Sequence, residues 1–365
     1  INSNLPAWDQ GYHISNVFKM NNILSNENYN SLLKFDKILD VTDSYRGPFT
    51  YFLSSLIIKT FNTNSYTLIY LSNHLFNFIS IFSIYNLGKI ISNKPTGIWA
   101  SIIFAFSPFI IIQRTDYLLD LSGTSFFLLT SLFLTKWFLK NEHININSIF
   151  SGISLGFLFL IKPTNIILLF IPISYLIINK LLKSERKQLV ILEIILFILL
   201  FSIIIEPWFS RNWLTIITSI LNAWKWGYLY QEDLDVNTIG GWLYYFLELP
   251  NIIGKSNLII ILSLIIYNYL IPKLDFKSLK IGNKINKWFI SLFINSYLVL
   301  SIMSTKDPRF FLPIYPILII YLVKLIRIEK IHTRKFNHNE VWSFEDEHII
   351  DGMIYCNDIE KWVTV

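Results

Sequence analysis

Long apolar runs separated by short polar turns dominate the chain. They cover about Tyr66–Leu87, Gly97–Ile112, Leu118–Leu139, Ile149–Ile161, Thr164–Asn179, Leu189–Ile205, Leu258–Ile271, Trp288–Ile302 and Phe310–Leu325. A helix needs about 20 mainly apolar residues to cross the hydrocarbon core of a bilayer. Nine such runs in series read as a bundle of transmembrane helices rather than a soluble helical core, although Ile149–Ile161 and Leu258–Ile271 are short. Pro48–Thr60 is also apolar, but it opens on a Pro and has only about a dozen residues. It reads as a helix lying at, or entering, the membrane surface.

Composition supports the membrane reading. Of 365 residues, 53% are hydrophobic and 15% charged, and mean hydropathy is +0.47. A soluble domain carries roughly 25% charged residues, so this chain has too few to cover a water-facing surface. With 13 Gly, 12 Pro and 1 Cys, collagen-like, disordered and disulfide-stapled classes are excluded; Cys356 has no internal partner.

The net charge of +6 would suggest nucleic acid in a soluble protein. Here the basic residues sort into alternate loops: Lys89 and Lys94; Lys136 and Lys140; Lys180, Lys183, Arg186 and Lys187; then Lys273, Lys277, Lys280, Lys284 and Lys287. Lys and Arg accumulate on the cytoplasmic side, which puts this set and the tail after Leu325 inside. The stretch to Arg46, Gln113–Tyr117, Lys162–Pro163, a loop from about Glu206 to Asn257 and Ser304–Arg309 then face outward. The charge is topological, and no nucleic-acid partner is expected. The expected organisation is a first outward loop over 1–65, a transmembrane core over 66–327 with a long outward loop at about 206–257, and a polar cytoplasmic tail over 328–365. The chain opens at Ile1 without Met or a signal-peptide pattern. Because its start must lie outside, a further helix is expected upstream.

Polar residues near helix ends on the outward side need an explanation, since charge near a membrane is costly. Trp8-Asp9-Gln10-Gly11-Tyr12-His13 puts an acid among aromatics, a pattern equally compatible with a helix cap. Arg46, just before Gly47-Pro48, is placed to clamp a phosphate or to snorkel. Asp116 and Asp120 are four apart, so both fit one face of a helix start. Lys162-Pro163-Thr164 forms a hairpin turn, Glu206 and Arg211 suit a surface pair, and Lys306 and Arg309 set two cations beside Pro308. Asp233-Leu234-Asp235 matches a metal signature only by letter. His13, His74 and His143 are isolated, no zinc spacing occurs, and no phosphate-binding glycine loop is present. No metal or cofactor is expected.

In order, these pieces resemble the GT-C integral-membrane glycosyltransferases, in particular the protein-mannosyltransferase and lipid A aminoarabinose-transferase group. The resemblance runs from about Trp8 to Ile326 and rests on the early acidic motif, Arg46-x-Pro48, Asp120 inside a later span, Lys162-Pro163-Thr164, Pro207-Trp208-x-x-x-Asn212 and Arg309-Phe310-x-x-Pro313. It implies an all-α, polytopic transmembrane bundle with outward interfacial helices. It also implies a polyprenyl-phosphate sugar donor used on the non-cytoplasmic side. Asp9 matches the catalytic carboxylate; Gln10 stands where many members have Glu. Arg46 and Arg309 match the residues that contact donor phosphate.

The chemistry agrees. Polyprenyl phosphate is a good leaving group, so the reaction needs a base for the acceptor and cations for the departing phosphate. Asp9 fits the first role; Arg46, Arg309 and Lys306 fit the second. Asp116, Asp120, Gln10 and Lys162 are candidates for orienting substrate. The acceptor, whether protein, lipid or glycan, is not specified. The expected location is a bacterial inner membrane, with membrane lipids as the other partners. The rival reading is a transporter or lipid-linked sugar flippase, which would place polar groups near the bilayer midplane rather than at one surface. A structural or assembly factor would need no base-and-cation set.

Overall fold

The computed structural model describes residues 8–42, 46–62, 65–139, 144–226, 237–270, 284–303 and 305–326, with strand residues 349–350, 353–356 and 361–364. Asp233-Leu234-Asp235, Ser44, Tyr45, Lys140, His143 and the Lys273–Lys280 loop lie outside them. The chain divides into two compact units, Ile1–Ile326 and Arg327–Val365.

The described part of the first unit is all-α. It begins with α1 (Trp8–Ser25), α2 (Ser31–Asp40), α3 (Phe49–Phe61), α4 (Tyr66–Ile69), α5 (Leu71–Ile91), α6 (Lys94–Ala105) and α7 (Pro108–Thr115). The centre holds α8 (Leu119–Leu139), α9 (Ile146–Ile161), α10 (Asn165–Lys183) and α11 (Lys187–Trp226). Then follow α12 (Ile239–Leu247), α13 (Leu249–Ile253), α14 (Lys255–Leu270), α15 (Lys284–Ile302), α16 (Pro308–Phe311) and α17 (Tyr315–Ile326). Side-chain caps start many of them: Asn30, Asn93 and Asn145 each accept from a backbone N–H in the first turn that follows.

Tyr66–Ile91, Asn165–Lys183 and Lys187–Asn222 are long and apolar enough to cross a membrane. Among the described residues, two bent pairs bring the total to five when each is one span. The run expected at Gly97–Ile112 is one of these pairs, broken by 58° between α6 and α7. Pro108 has no N–H to continue a helix, so it restarts one instead. The run expected at Phe310–Leu325 is likewise split into α16 and α17.

The opposite correction applies at Glu206. The sequence suggested a span ending there and an outward loop beginning. Instead α11 continues for 40 residues with Pro207 inside it, about 60 Å at 1.5 Å per residue. Apolar burial carries it through: Trp208 and Ile216 pack with Leu39 of α2, with Phe159, Leu160, Phe209 and Ile220 around them. The expected Glu206–Arg211 pair is not what Arg211 makes. Its guanidinium bonds Asp36 at 2.6 Å and Asp40 at 2.9 Å, tying α2 to α11.

Helix α8 is buried along nearly its whole length. Its neighbour α9 runs back antiparallel, with Phe133 stacked on Phe150 and Phe126 edge-on to Phe157. The same alternation continues through α10 and α11. Lys136, Lys180 and Lys187 therefore lie at one end of these helices, and Asp120 and Lys162 at the other, about 25 Å away by helical rise. At the lysine end, Lys180 and Glu193 pair at 3.4 Å with side chains only 1% and 3% exposed. Glu193 also accepts from Trp137 Nε1 at 2.6 Å and the Asn145 N–H at 2.8 Å. This network joins four helices. Close packing elsewhere relies on small residues: a Cβ on Gly88 would lie 2.6 Å from Gly97 Cα, so α5 and α6 meet backbone to backbone.

The second unit contains an antiparallel sheet of β1 (Ile349–Ile350), β2 (Met353–Cys356) and β3 (Lys361–Thr364) in the order β1-β2-β3. In backbone register Ile349 pairs with Ile354, and Tyr355 with Trp362.

Candidate active site

The first turn of α1 carries Asp9. Helical spacing puts Tyr12 and His13 on the same face. His13 anchors that face: it is buried, its Nδ1 lies 2.7 Å from the Tyr51 hydroxyl of α3, and the two rings stack. Burial, followed by the nearby Arg46 charge, pushes His13 down to about 4. Its ring is neutral at pH 7.

Arg46 arrives on the segment leading into α3. The next residue must be glycine, because a Cβ on Gly47 would lie 2.0 Å from the Leu160 carbonyl oxygen. That contact presses the Arg46 segment against the end of α9, next to the Lys162 turn. Arg46 Nη2 lies 3.6 Å from Asp9 Oδ1, and its guanidinium sits over the Tyr12 ring at 5.3 Å.

Arg309 enters from α16. Asp307 caps that short helix, accepting from the Arg309 N–H at 2.8 Å. Its other oxygen takes Arg309 Nε at 2.8 Å and Nη2 at 2.6 Å. These bonds push the Arg309 pKa upward, the hydrogen bond to Asp307 being the largest cause. They leave Nη1 pointing at Asp9 Oδ2, 3.9 Å away. Behind this, Lys162 Nζ contacts Asp120 Oδ1 at 2.6 Å and sits over the Phe310 ring at 4.8 Å.

Of the residues expected from sequence, Asp9, Arg46 and Arg309 thus meet around one point, with Asp120 and Lys162 paired beside them. Lys306 does not join. Its ammonium donates to the carbonyls of Leu300 at 2.9 Å and Ser301 at 2.6 Å, closing the last turn of α15. Burial pushes it down to about 8. Asp116 and Asp120 do not share a helix face as expected: α7 ends at Thr115, Asp116 is its C-cap, and Asp120 lies in the first turn of the next helix. The Asp116 carbonyl accepts from Asn73 Nδ2 at 2.9 Å. Gln10 is half-buried and makes no side-chain hydrogen bond among the described residues.

Sequence reasoning gave no role in the site to His13, Tyr12, Tyr51 or Asp307. A signal existed for two of them: His13 stands four residues after Asp9, and Asp307 precedes Pro308 at a helix start.

Among the described residues the site balances three carboxylates, Asp9, Asp120 and Asp307, against three cations, Arg46, Lys162 and Arg309. Asp9 is the reachable acid: its side chain is 52% exposed, against 10% for Asp120 and 24% for Asp307. An open carboxylate between two guanidiniums suits proton removal next to an anionic oxygen. Among the described residues, no group of three or more His, Cys, Asp and Glu is placed to hold a metal ion.

Residues 45–208 match the model of the dolichyl-phosphate-mannose-protein mannosyltransferase family. That stretch contains Arg46, Asp120 and Lys162. No curated protein sequence matches the chain at a significant level. Among solved structures, the chain is similar to ArnT from Cupriavidus metallidurans. The TM-score to the apo form is 0.61 at 13% identity, covering 91% of this chain and 57% of ArnT. The TM-score to the form bound to undecaprenyl phosphate is 0.62 at 13% identity, covering 88% and 56%. The chain therefore spans little more than half the length of ArnT. The segment match and the shared fold agree: residues 45–208 are similar to the dolichyl-phosphate-mannose-protein mannosyltransferase family, and the chain shares the all-α fold of ArnT.

Proposed function

We propose that the chain is a glycosyltransferase that moves a sugar from a polyprenyl-phosphate donor to an acceptor hydroxyl or amine on the non-cytoplasmic face of the membrane. The observation that carries this reading is the position of Asp9 between Arg46 and Arg309, at 3.6 and 3.9 Å. Asp9 takes the acceptor proton. The freed electron pair attacks the anomeric carbon opposite the phosphate, the carbon–oxygen bond to phosphate breaks, and that pair leaves on the phosphate oxygen. One displacement inverts the anomeric configuration. Arg46 and Arg309 hold the phosphate as its charge grows. Asp120 and Lys162 support the wall of the site behind Phe310. Lys306, Asp116 and Gln10 take no part in this scheme.

The donor class is supported by the ArnT structure solved with undecaprenyl phosphate. The outward orientation is supported by the basic turns, which gather at the helix ends opposite Asp120 and Lys162. The same orientation in a bacterial plasma membrane puts the site in the periplasm.

The test is incorporation of the chain into vesicles containing a polyprenyl-phosphate sugar, with or without candidate acceptors. Release of polyprenyl phosphate together with glycosylated product is expected. Donor that crosses the bilayer intact, with no release, would favour a flippase instead.

A further inference from the structure

Three carboxylates serve this site, but they hold their cations differently. Asp307 grips Arg309 at 2.6 and 2.8 Å, and Asp120 grips Lys162 at 2.6 Å. Asp9 stands 3.6 and 3.9 Å from its two guanidiniums, within charge contact but beyond hydrogen-bond length. It is also the most exposed of the three. Of the three, Asp9 is therefore the one an incoming anion can displace.

Resting on the glycosyltransferase reading, we propose that Asp9 and the substrate phosphate compete for Arg46 and Arg309, and that deprotonation of the acceptor hands both arginines from carboxylate to phosphate. The charges balance at every stage. Among the described residues the free site sums to zero, and a donor phosphodiester adds one negative charge. Transfer moves the acceptor proton to Asp9, which becomes neutral, while the phosphate gains the charge of the broken bond. The pull of Asp9 on both arginines lapses as the phosphate doubles in charge, so their attraction shifts to the phosphate at the moment it is needed. Asp307 keeps hold of the Nε edge of Arg309, which fixes where Nη1 points during the exchange.

Among the described residues, the groups around Asp9 come from several elements. Arg46 comes from the segment before α3, Arg309 with Asp307 from α16, and Lys162 with Asp120 from behind them. Tyr12 and His13 share its helix, and Tyr51 faces them from α3. His13 stays neutral at pH 7 and does not compete for the proton.

Reciprocity then requires that protonating Asp9 tighten binding of the product phosphate. Asp9→Asn imitates the protonated carboxyl in shape and charge. The experiment measures the affinity of the full chain in detergent for undecaprenyl phosphate, in wild type, Asp9→Asn, Asp307→Asn and the Asp9→Asn/Arg309→Gln double variant. Asp9→Asn is expected to bind about 5-fold tighter or more, the low end of typical coupling between sites. The double variant loses that gain, and Asp307→Asn shows none. Unchanged or weaker binding by Asp9→Asn would overturn the handover, as would equal tightening in Asp307→Asn, which would reduce the effect to bulk charge. Asp9→Ser provides the same comparison if the Asn variant misfolds. Wild type that does not bind undecaprenyl phosphate at all would remove the underlying function; wild type that binds, with no gain in Asp9→Asn, removes only the handover.

Discussion

Lys162 and Asp120, distant in sequence, meet at 2.6 Å where the turn after α9 crosses the start of α8, with the Lys162 ammonium over Phe310. The pair is mostly enclosed, so removing one partner leaves a charge without compensation. Asp120→Asn or Lys162→Met is expected to cost about 3–5 kcal/mol. The double substitution should recover a large part of that loss. Thermal unfolding in detergent of both single variants and the double variant checks this; additive losses would show that the two residues act separately.

Gly47 is needed for contact rather than for an unusual backbone angle. A Cβ there meets a backbone carbonyl at 2.0 Å, and a backbone atom cannot swing aside as a side-chain tip does. Gly47→Ala should cost about 1–3 kcal/mol, as overpacking does. It should also displace Arg46, raising the KM for donor more than it lowers kcat. Steady-state kinetics beside a melting curve separate the two effects.

His13 makes stability depend on pH in a definite direction. Its folded value, about 4, lies below the unfolded 6.5. As pH falls, the unfolded chain takes up the proton first. The contribution of this group is therefore complete above about 6.5 and lost between 6.5 and 4, roughly 3 kcal/mol in all. Melting temperature measured from pH 7 to 4.5 should fall less steeply in His13→Phe than in wild type.

Two ion pairs along α11 should behave differently. Arg211 and its partners Asp36 and Asp40 are 38%, 52% and 62% exposed, so Arg211→Ala should cost about 1 kcal/mol or less. Glu193→Gln removes the countercharge 3.4 Å from the buried Lys180 ammonium and should cost several times more. Unfolding of the two variants side by side tests the ranking.

Much of the helical architecture was legible because hydropathy acts along the chain: apolar runs become helices wherever they fall. The breaks were harder to place. Pro108 and Pro313 interrupt runs that look continuous in hydropathy, whereas Pro207 interrupts nothing, because Trp208, Phe209 and Ile216 carry the apolar pattern past it and find partners on α2 and α9. The site was legible in part. Asp9, Arg46 and Arg309 come from distant parts of the chain, and their meeting depends on helix packing, for which the motif order was the one available clue. Lys306 looked equal to Arg309 in sequence. Its partners are two backbone carbonyls, and carbonyls are the same at every residue, so nothing local could mark it as a helix-closing lysine.

The central claim is that Asp9 is the base. The most direct measurement is the transfer rate of Asp9→Asn with saturating polyprenyl-phosphate sugar, in protein whose melting curve matches wild type. The account predicts a loss of about 10²–10⁴-fold in kcat, the usual contribution of a general base. Turnover within a few-fold of wild type would contradict it.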